Sequence, residues 1–566
     1  MTRLRARHGS VLLASTMLVV GSAAAAQDSS SPLGAGGSAD PVSTAATQDG
    51  RADRAPRTQR RRASVEPYVE VGQIVSAELG GSGDVLTYTT VAAGVDASIA
   101  TARTQGAASV RYEHRFGWGD RASDGDILTG ALRGQYRMTR NLSLEAGAIA
   151  TRSSIDGGFG TPDLGFADGG VSRVYSVYAG PTYAGRVGDL DVGAGYRIGY
   201  SASDYDLPTA TLGRTVPRFE DAVTHHAVAS LGMRPGPRPF GWTVSAGYER
   251  EKAGQLDQRY ESVYARGDIT VPVSPTLALV GGVGVERIEV SYRPPLLDPA
   301  TGTPVVDAGG GLVVDPSAPR RIAFDTSGLI WDAGVMWRPS RRMSLEARIG
   351  RRYDDWSYTG SWSFQPNSRT SYQLGVYDRI GTVGRGLTGA LAALPTDFAG
   401  VIRNPIDGSL TGCLFGAQDA QCLNPLLGNL AGLAYRNRGV VLTASQQRRL
   451  WTFGVGFGYD NRSYLDESAG LLSTLAGDDE TWFASLSASR PIDERTAFSS
   501  SLTWQYYDAG ISDADAFSAG ANVALARNFW RNLSGQAALG LNIIDAQGFN
   551  TRYYLSALLG VRYNFQ

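Results

Sequence analysis

From Val65 onward the chain alternates between apolar side chains and small or polar ones, in segments of about 10 to 16 residues separated by Gly, Pro, Asn and Asp. In the last segment Tyr553, Leu555, Ala557, Leu559, Val561, Tyr563 and Phe565 share one face, and Tyr554, Ser556, Gly560, Arg562 and Asn564 share the other. Trp451, Phe453, Val455, Phe457 and Tyr459 alternate with Thr452, Gly454, Gly456, Gly458 and Asp460 in the same way. So do Leu329, Trp331, Ala333, Val335 and Trp337 with Asp332, Gly334 and Arg338. A period of two means strands. A soluble sandwich also alternates, but it turns its apolar face inward. Aromatics at both ends of the apolar stripe, with Gly or charge opposite, fit lipid outside and water inside.

Such segments number 22 between 65–77 and 551–565, an even count that suits a closed antiparallel barrel of one chain. Closure is required because an open edge in lipid leaves backbone N–H and C=O groups unpaired. Every second connection is short, as at Thr101-Ala102, Thr139-Arg140 and Asn367-Ser368. The long ones, near 155–170, 203–218, 292–321, 384–435 and 464–479, fall in the opposite phase. Short turns on one side and long loops on the other predict that both termini are periplasmic and the long loops external. The fold class expected is all-β: a single transmembrane antiparallel barrel of about 22 strands over 65–566, without a plug domain. Only about forty residues lie between Gln27 and the first strand, too few for a plug of over about a hundred residues; TonB-dependent transporters are therefore not expected.

The N-terminus predicts the compartment. Arg3, Arg5, Arg7 and His8 precede the apolar run Val11 to Val20, and Ala24-Ala25-Ala26 before Gln27 fits signal-peptidase cleavage of residues 1–26. That run is shorter than the roughly 20 residues a membrane helix needs. Residues 27–64 are rich in Ser, Gly, Ala, Pro and Arg, and are expected to form a disordered periplasmic tail. Its arginines in 51–62 either form a solvated linker or dock on a periplasmic partner or lipid headgroups. The formal net charge of −1 gives no electrostatic case for nucleic acid. The C-terminal aromatic strand fits recognition by the barrel-assembly machinery, and outer-membrane lipid and lipopolysaccharide are the expected surroundings.

Strand parity places a set of charges on the water side: Arg111, Glu113, Arg115, Arg133, Arg137, Arg197, Glu249, Arg266, Asp268, Glu346, Arg348, Arg352, Arg379 and Arg562. These are the candidate pore-lining residues. They either form a field that selects small hydrophilic solutes or pair and hydrate, and their arginine excess points to a weak anion preference. Cys413 and Cys422 lie in the longest loop, where an oxidising compartment favours a disulfide. The apolar runs Leu387 to Leu394 and Leu426 to Leu433 predict short helical turns there, so the loop occludes the mouth, caps it, or touches lipopolysaccharide. His114, His225 and His226 are the histidines after residue 26, and the last two point to opposite faces. No G-x-S-x-G or H-E-x-x-H motif occurs, so no enzymatic activity, catalytic residue, cofactor or metal site is expected.

The stretches VEPYVEVGQIVSAEL from Val65, DVLTYTTVAAGVDASI from Asp84 and VYSVYAGPTYAGRVGDLDVGAGYRIGY from Val174 resemble a group of α-proteobacterial, sphingomonad-like outer-membrane barrels of the beta-barrel porin 2 type. GRRYDD at Gly350, TGALAALP at Thr388 and the GC…CLN loop at 412–424 resemble it too. Members are sometimes labelled preprotein translocase subunit YajC, a label implying a single-helix inner-membrane protein that this strand pattern does not support. The resemblance implies an outer-membrane barrel. The functions it leaves open are a passive channel, an envelope or export component such as one for surface polysaccharide, and a structural barrel filled by its loops.

Overall fold

The computed structural model describes residues 62–565, apart from 80–82, 120–121, 154–171, 206–217, 237, 308–310, 397–402, 411, 417–419, 428–429, 466–477, 509–514 and 547–549. The expected signal segment and nearly all of the arginine-rich tail lie outside the described residues. Strands run in chain order as β1 (Arg62–Leu79), β2 (Val85–Ala100), β3 (Thr104–Trp118), β4 (Gly125–Arg137), β5 (Leu142–Ser153), β6 (Ser172–Val187), β7 (Leu190–Tyr205), β8 (Asp221–Met233) and β9 (Gly241–Ala253). They continue as β10 (Arg259–Pro272), β11 (Leu277–Tyr292), β12 (Arg321–Ser340), β13 (Met343–Arg352), β14 (Asp355–Asn367) and β15 (Thr370–Gly381). After a long connection come β18 (Tyr435–Arg448), β19 (Trp451–Tyr464), β20 (Asp479–Pro491), β21 (Thr496–Asp508), β22 (Ala516–Asn528), β23 (Leu533–Ala546) and β24 (Arg552–Asn564). The connection itself holds helix α1 (Val383–Ala392), the two short strands β16 (Cys413–Phe415) and β17 (Ala420–Cys422), and the single turn α2 (Asn424–Leu427).

The 22 long strands form one sheet in which each pairs antiparallel with its neighbour in sequence. β1 pairs with β24 from Tyr68↔Asn564 to Leu79↔Tyr553, which closes the ring. The free ends of β1 and β24 lie at the rim that carries the short turns. β1 begins three residues earlier than the sequence pattern suggests, because β2 extends to Ala100 and offers partners: Arg62, Ala63 and Ser64 pair with Ala100, Ile99 and Ser98. No helix among the described residues is long and apolar enough to cross a membrane.

The outer face is apolar, and the inner face carries hydroxyls and charges beside apolar patches such as Ile74, Leu86 and Tyr88. Leu329 and Leu559 are 66% and 68% exposed on the outer face, while Ser76, Thr90 and Ser556 are 1% exposed on the inner one. Ser76 and Ser556 share a hydrogen bond of 2.8 Å across the closing seam. Aromatic rings gather towards the two rims. Trp451 stacks on Phe453 and meets Phe498 edge-on, and Tyr459 packs against Trp482 with centroids 4.4 Å apart. Residues 451 and 459 are eight steps apart on one face of β19, about 27 Å along the strand at about 3.4 Å per residue. A strand tilt of about 35–45° leaves about 20 Å of depth, most of an apolar band about 25 Å tall.

Placing a charge on this band tests the assignment. Val283→Arg, at the middle of β11 and 54% exposed, should cost about 2–4 kcal/mol of folding free energy in lipid vesicles. Ser501→Arg, on the inner face of β21, should be tolerated. Urea-dependent folding into vesicles measures both; equal penalties would reverse the assignment.

Candidate functional site

The longest connection, residues 382–434, turns back into the barrel and crosses its lumen. α1 buries Val383, Leu387, Ala390 and Leu391 in one apolar cluster with Ile149 of β5, Val174 and Tyr178 of β6, Ala222 of β8 and Ala253 of β9, and the cluster extends to Ala107 of β3 and Ala131 of β4. Alanines on the inner wall leave the room that a helix needs. Further on, Arg403 Nε donates to Thr129 Oγ1 at 2.9 Å, and the Leu410 backbone N–H donates to Thr151 Oγ1 at 2.9 Å. Between them Arg115 Nη2 donates to the Ile406 carbonyl at 2.7 Å. The Ile406 side chain joins Ile74, Leu86, Tyr88, Tyr554 and Leu558 of β1, β2 and β24.

The strap then reaches the far wall. β16 and β17 pair with Cys413 opposite Cys422, and the two cysteines form a disulfide. It rests on β19 where the inner face carries glycine: a Cβ at Gly456 would fall within contact of both sulfurs, and one at Gly454 within contact of the Phe415 ring. The returning stretch adds Leu423, Leu426, Leu427 and Leu430 to the core around α1. It is also tied to the outer loops, since the Phe219 N–H donates to the Leu430 carbonyl at 2.9 Å and Gln255 Nε2 to the Gly432 carbonyl at 2.8 Å. The described part of this connection therefore packs on the inner face of the wall.

Two carboxylates on the inner face of β9 grip the start of α1. Glu251 accepts the Thr382 hydroxyl at 2.6 Å and the Arg385 backbone N–H at 2.9 Å. It therefore caps the helix from the wall, where an N-terminal dipole favours negative charge. Glu249 accepts the Arg385 guanidinium and, at 2.9 Å, His226 Nδ1. Arg385 also stacks over the Tyr260 ring at 4.0 Å. Burial opposes the Arg385 charge, but the neighbouring Glu249 outweighs it and holds the guanidinium pKa above its ordinary value. Elsewhere in the strap, burial pushes the Asp407 carboxyl up and the Arg403 guanidinium down.

The charges selected by parity mostly form ion pairs. Arg111 contacts Glu113 and, at 3.2 Å, Glu70, while Arg115 Nε donates to Glu113 at 2.7 Å. Arg133 pairs with Glu145 at 3.0 Å, Arg352 with Glu286, and Arg562 with Asp96 at 2.8 Å. Arg266, Asp268, Asp332, Glu346 and Arg348 form one network, with Arg348 Nη1 at 2.9 Å from both Asp268 and Asp332 and Nε at 2.7 Å from Glu346. Arg137 is exposed at the short-turn rim, and Arg379 lies over the Tyr377 ring at 5.0 Å. Arg197, Arg379 and Glu249 meet at a crevice beside α1.

The arginine excess of the sequence set is thus largely offset by Glu70, Asp96, Glu145, Glu286 and Asp332. The same parity rule could have found these acids. Nothing in strand periodicity could have found Arg385 and Arg403, which reach the wall from the strap. His225 and His226 diverge, the first meeting Tyr196 Oη outside at 2.8 Å and the second Glu249 inside.

No family model and no curated protein matches this chain. Solved structures similar to it include the FrpB iron transporter from Neisseria meningitidis, at 11% identity and a TM-score of 0.42, covering 88% of this chain and 82% of that one. The ferric-catecholate import receptor Fiu from E. coli K12 in its open form matches at 11% and 0.42, covering 88% and 81%. The copper transporter OprC matches at 12% and 0.40, covering 90% and 82%. Likenesses at these scores carry nothing about what this barrel binds, so its reading rests on its own geometry.

Removing the disulfide should loosen the strap and spare the barrel. Cys413→Ser with Cys422→Ser is expected to cost the strap about 2–3 kcal/mol of local stability. Hydrogen exchange should rise at residues 412–427 and stay unchanged in β1 to β9.

Proposed function

We propose that this chain is an outer-membrane channel of porin type for small hydrophilic solutes, narrowed by its own strap. The observation that carries this reading is the polarity of the wall: paired charges and hydroxyls inside, a lipid-compatible surface outside, and a connection from one rim folded between them. The short-turn rim then faces the periplasm and the long connections face outward, with outer-membrane lipid and lipopolysaccharide around them. A ring of 22 strands is wide enough to leak unless something fills it. The strap does that work from within one chain.

A second reading has an observation of its own. The strap touches walls on both sides of the lumen, which supports a barrel closed for good, with a structural role. The two readings differ in whether the strap moves. A strap held by an apolar core plus the Glu249–Arg385 and Glu251–Thr382 contacts is held strongly, because breaking one partner out of a buried ion pair costs about 3–5 kcal/mol.

Planar-bilayer recording separates them. The wild-type barrel should give small, discrete conductance steps. Arg385→Ala and Gly456→Val, which unlatch the strap from opposite walls, should each raise the conductance or the open fraction several-fold with sheet content unchanged by circular dichroism. Silent bilayers for all three correctly folded proteins would sink the channel and leave the structural barrel.

A further inference from the structure

The crevice beside α1 differs electrostatically from the rest of the inner wall. It opens between α1 and the inner faces of β6 to β9, β15 and β18. Arg197, His226 and Arg379 come from the wall and Arg385 from α1; Glu249 is the one carboxylate lining it. That carboxylate is already engaged by Arg385 and His226. Arg197 is half-buried beside its cross-strand partner His226, and no acid pairs with it among the described residues. This sets it apart from Arg111, Arg133, Arg266, Arg348, Arg352 and Arg562, each of which has a carboxylate on the wall. Arg137 also lacks one among the described residues, but it is exposed at the rim.

A second, independent observation points the same way. Tyr178 lines the crevice and is 2% exposed, yet its hydroxyl has no hydrogen-bond partner among the described residues. A buried hydroxyl left without a partner is costly, by about 1–3 kcal/mol, and such groups are scarce in folded proteins. Tyr178 pairs with Gly199 across the β6–β7 ladder, two residues from Arg197 on the same inner face, and the Arg133 guanidinium lies 5.5 Å from its ring centroid, a donor set that an oxyanion would complete. The planar guanidinium presents two parallel N–H groups to a carboxylate or phosphate, and the tyrosine adds an O–H.

We propose that this crevice binds the carboxylate or phosphate group of a small solute, with Arg197 and Tyr178 as its principal donors and Arg379 supplying further positive field. The site deepens the channel reading and rests on it for its purpose: an anion held between strap and wall is a solute caught on its path.

The test is isothermal titration calorimetry of the mature, detergent-solubilised barrel with succinate and with inorganic phosphate, using uncharged succinamide as the control probe. Saturable binding is expected for at least one of the two anions and none for succinamide. Arg197→Gln should weaken it at least about tenfold, the loss expected for a charged hydrogen bond. Tyr178→Phe should weaken it about three- to tenfold without touching charge. Arg341→Gln, an exposed turn residue, should leave it unchanged. No saturable heat for either anion from a barrel with intact sheet content overturns the site, as does equal binding by wild type and both crevice variants. A barrel that binds but never conducts keeps the site and overturns the channel; one that conducts but binds neither anion does the reverse.

Discussion

In hydrocarbon a backbone N–H or C=O cannot borrow a partner from solvent, so every strand of this protein must be paired on both edges. That requirement closes β1 on β24 and forces an unbroken meander, since any skipped neighbour would expose two ladders at once. Side-chain placement follows from closure. Once the sheet has an inside and an outside, the two-residue repeat delivers Leu329 and Trp331 to one solvent and Asp332 to the other, with no further choice to be made.

That logic explains which features were legible in the sequence. All 22 strands and the phase of short and long connections could be read, because periodicity and turn residues are local and repeat along the chain. Parity also placed Arg111, Glu113 and Arg115 on one face. What it could not supply was distance around the ring. Glu70 on β1 meets Arg111 on β3, and Asp268 on β10 meets Arg348 on β13, across intervening strands, so register and side-chain reach decide these pairs and parity alone does not. An inward list without its partners overstates positive charge.

The strap was the harder element. Its leucines at 387, 391, 426, 427 and 430 signal that something apolar covers them, but a loop has no periodicity to say whether that cover is lipid, another loop or the barrel's own interior. The answer lay in residues that look unremarkable in a strand: Ala107, Ala131, Ala222 and Ala253 on one wall, Gly454 and Gly456 on another. Small side chains on an inner face are ordinary in barrels. Here they are the negative image of a helix and a disulfide.

The seating of Ile406 has a consequence for how the molecule is made. Its pocket is built from β1 and β2, the first strands synthesised, and from β24, the last. Half of that socket is missing until the final hairpin zips against the N-terminal strand. Ile406 therefore cannot be fully seated in an unfinished ring. Stitching the wall and seating this one side chain are thereby coupled.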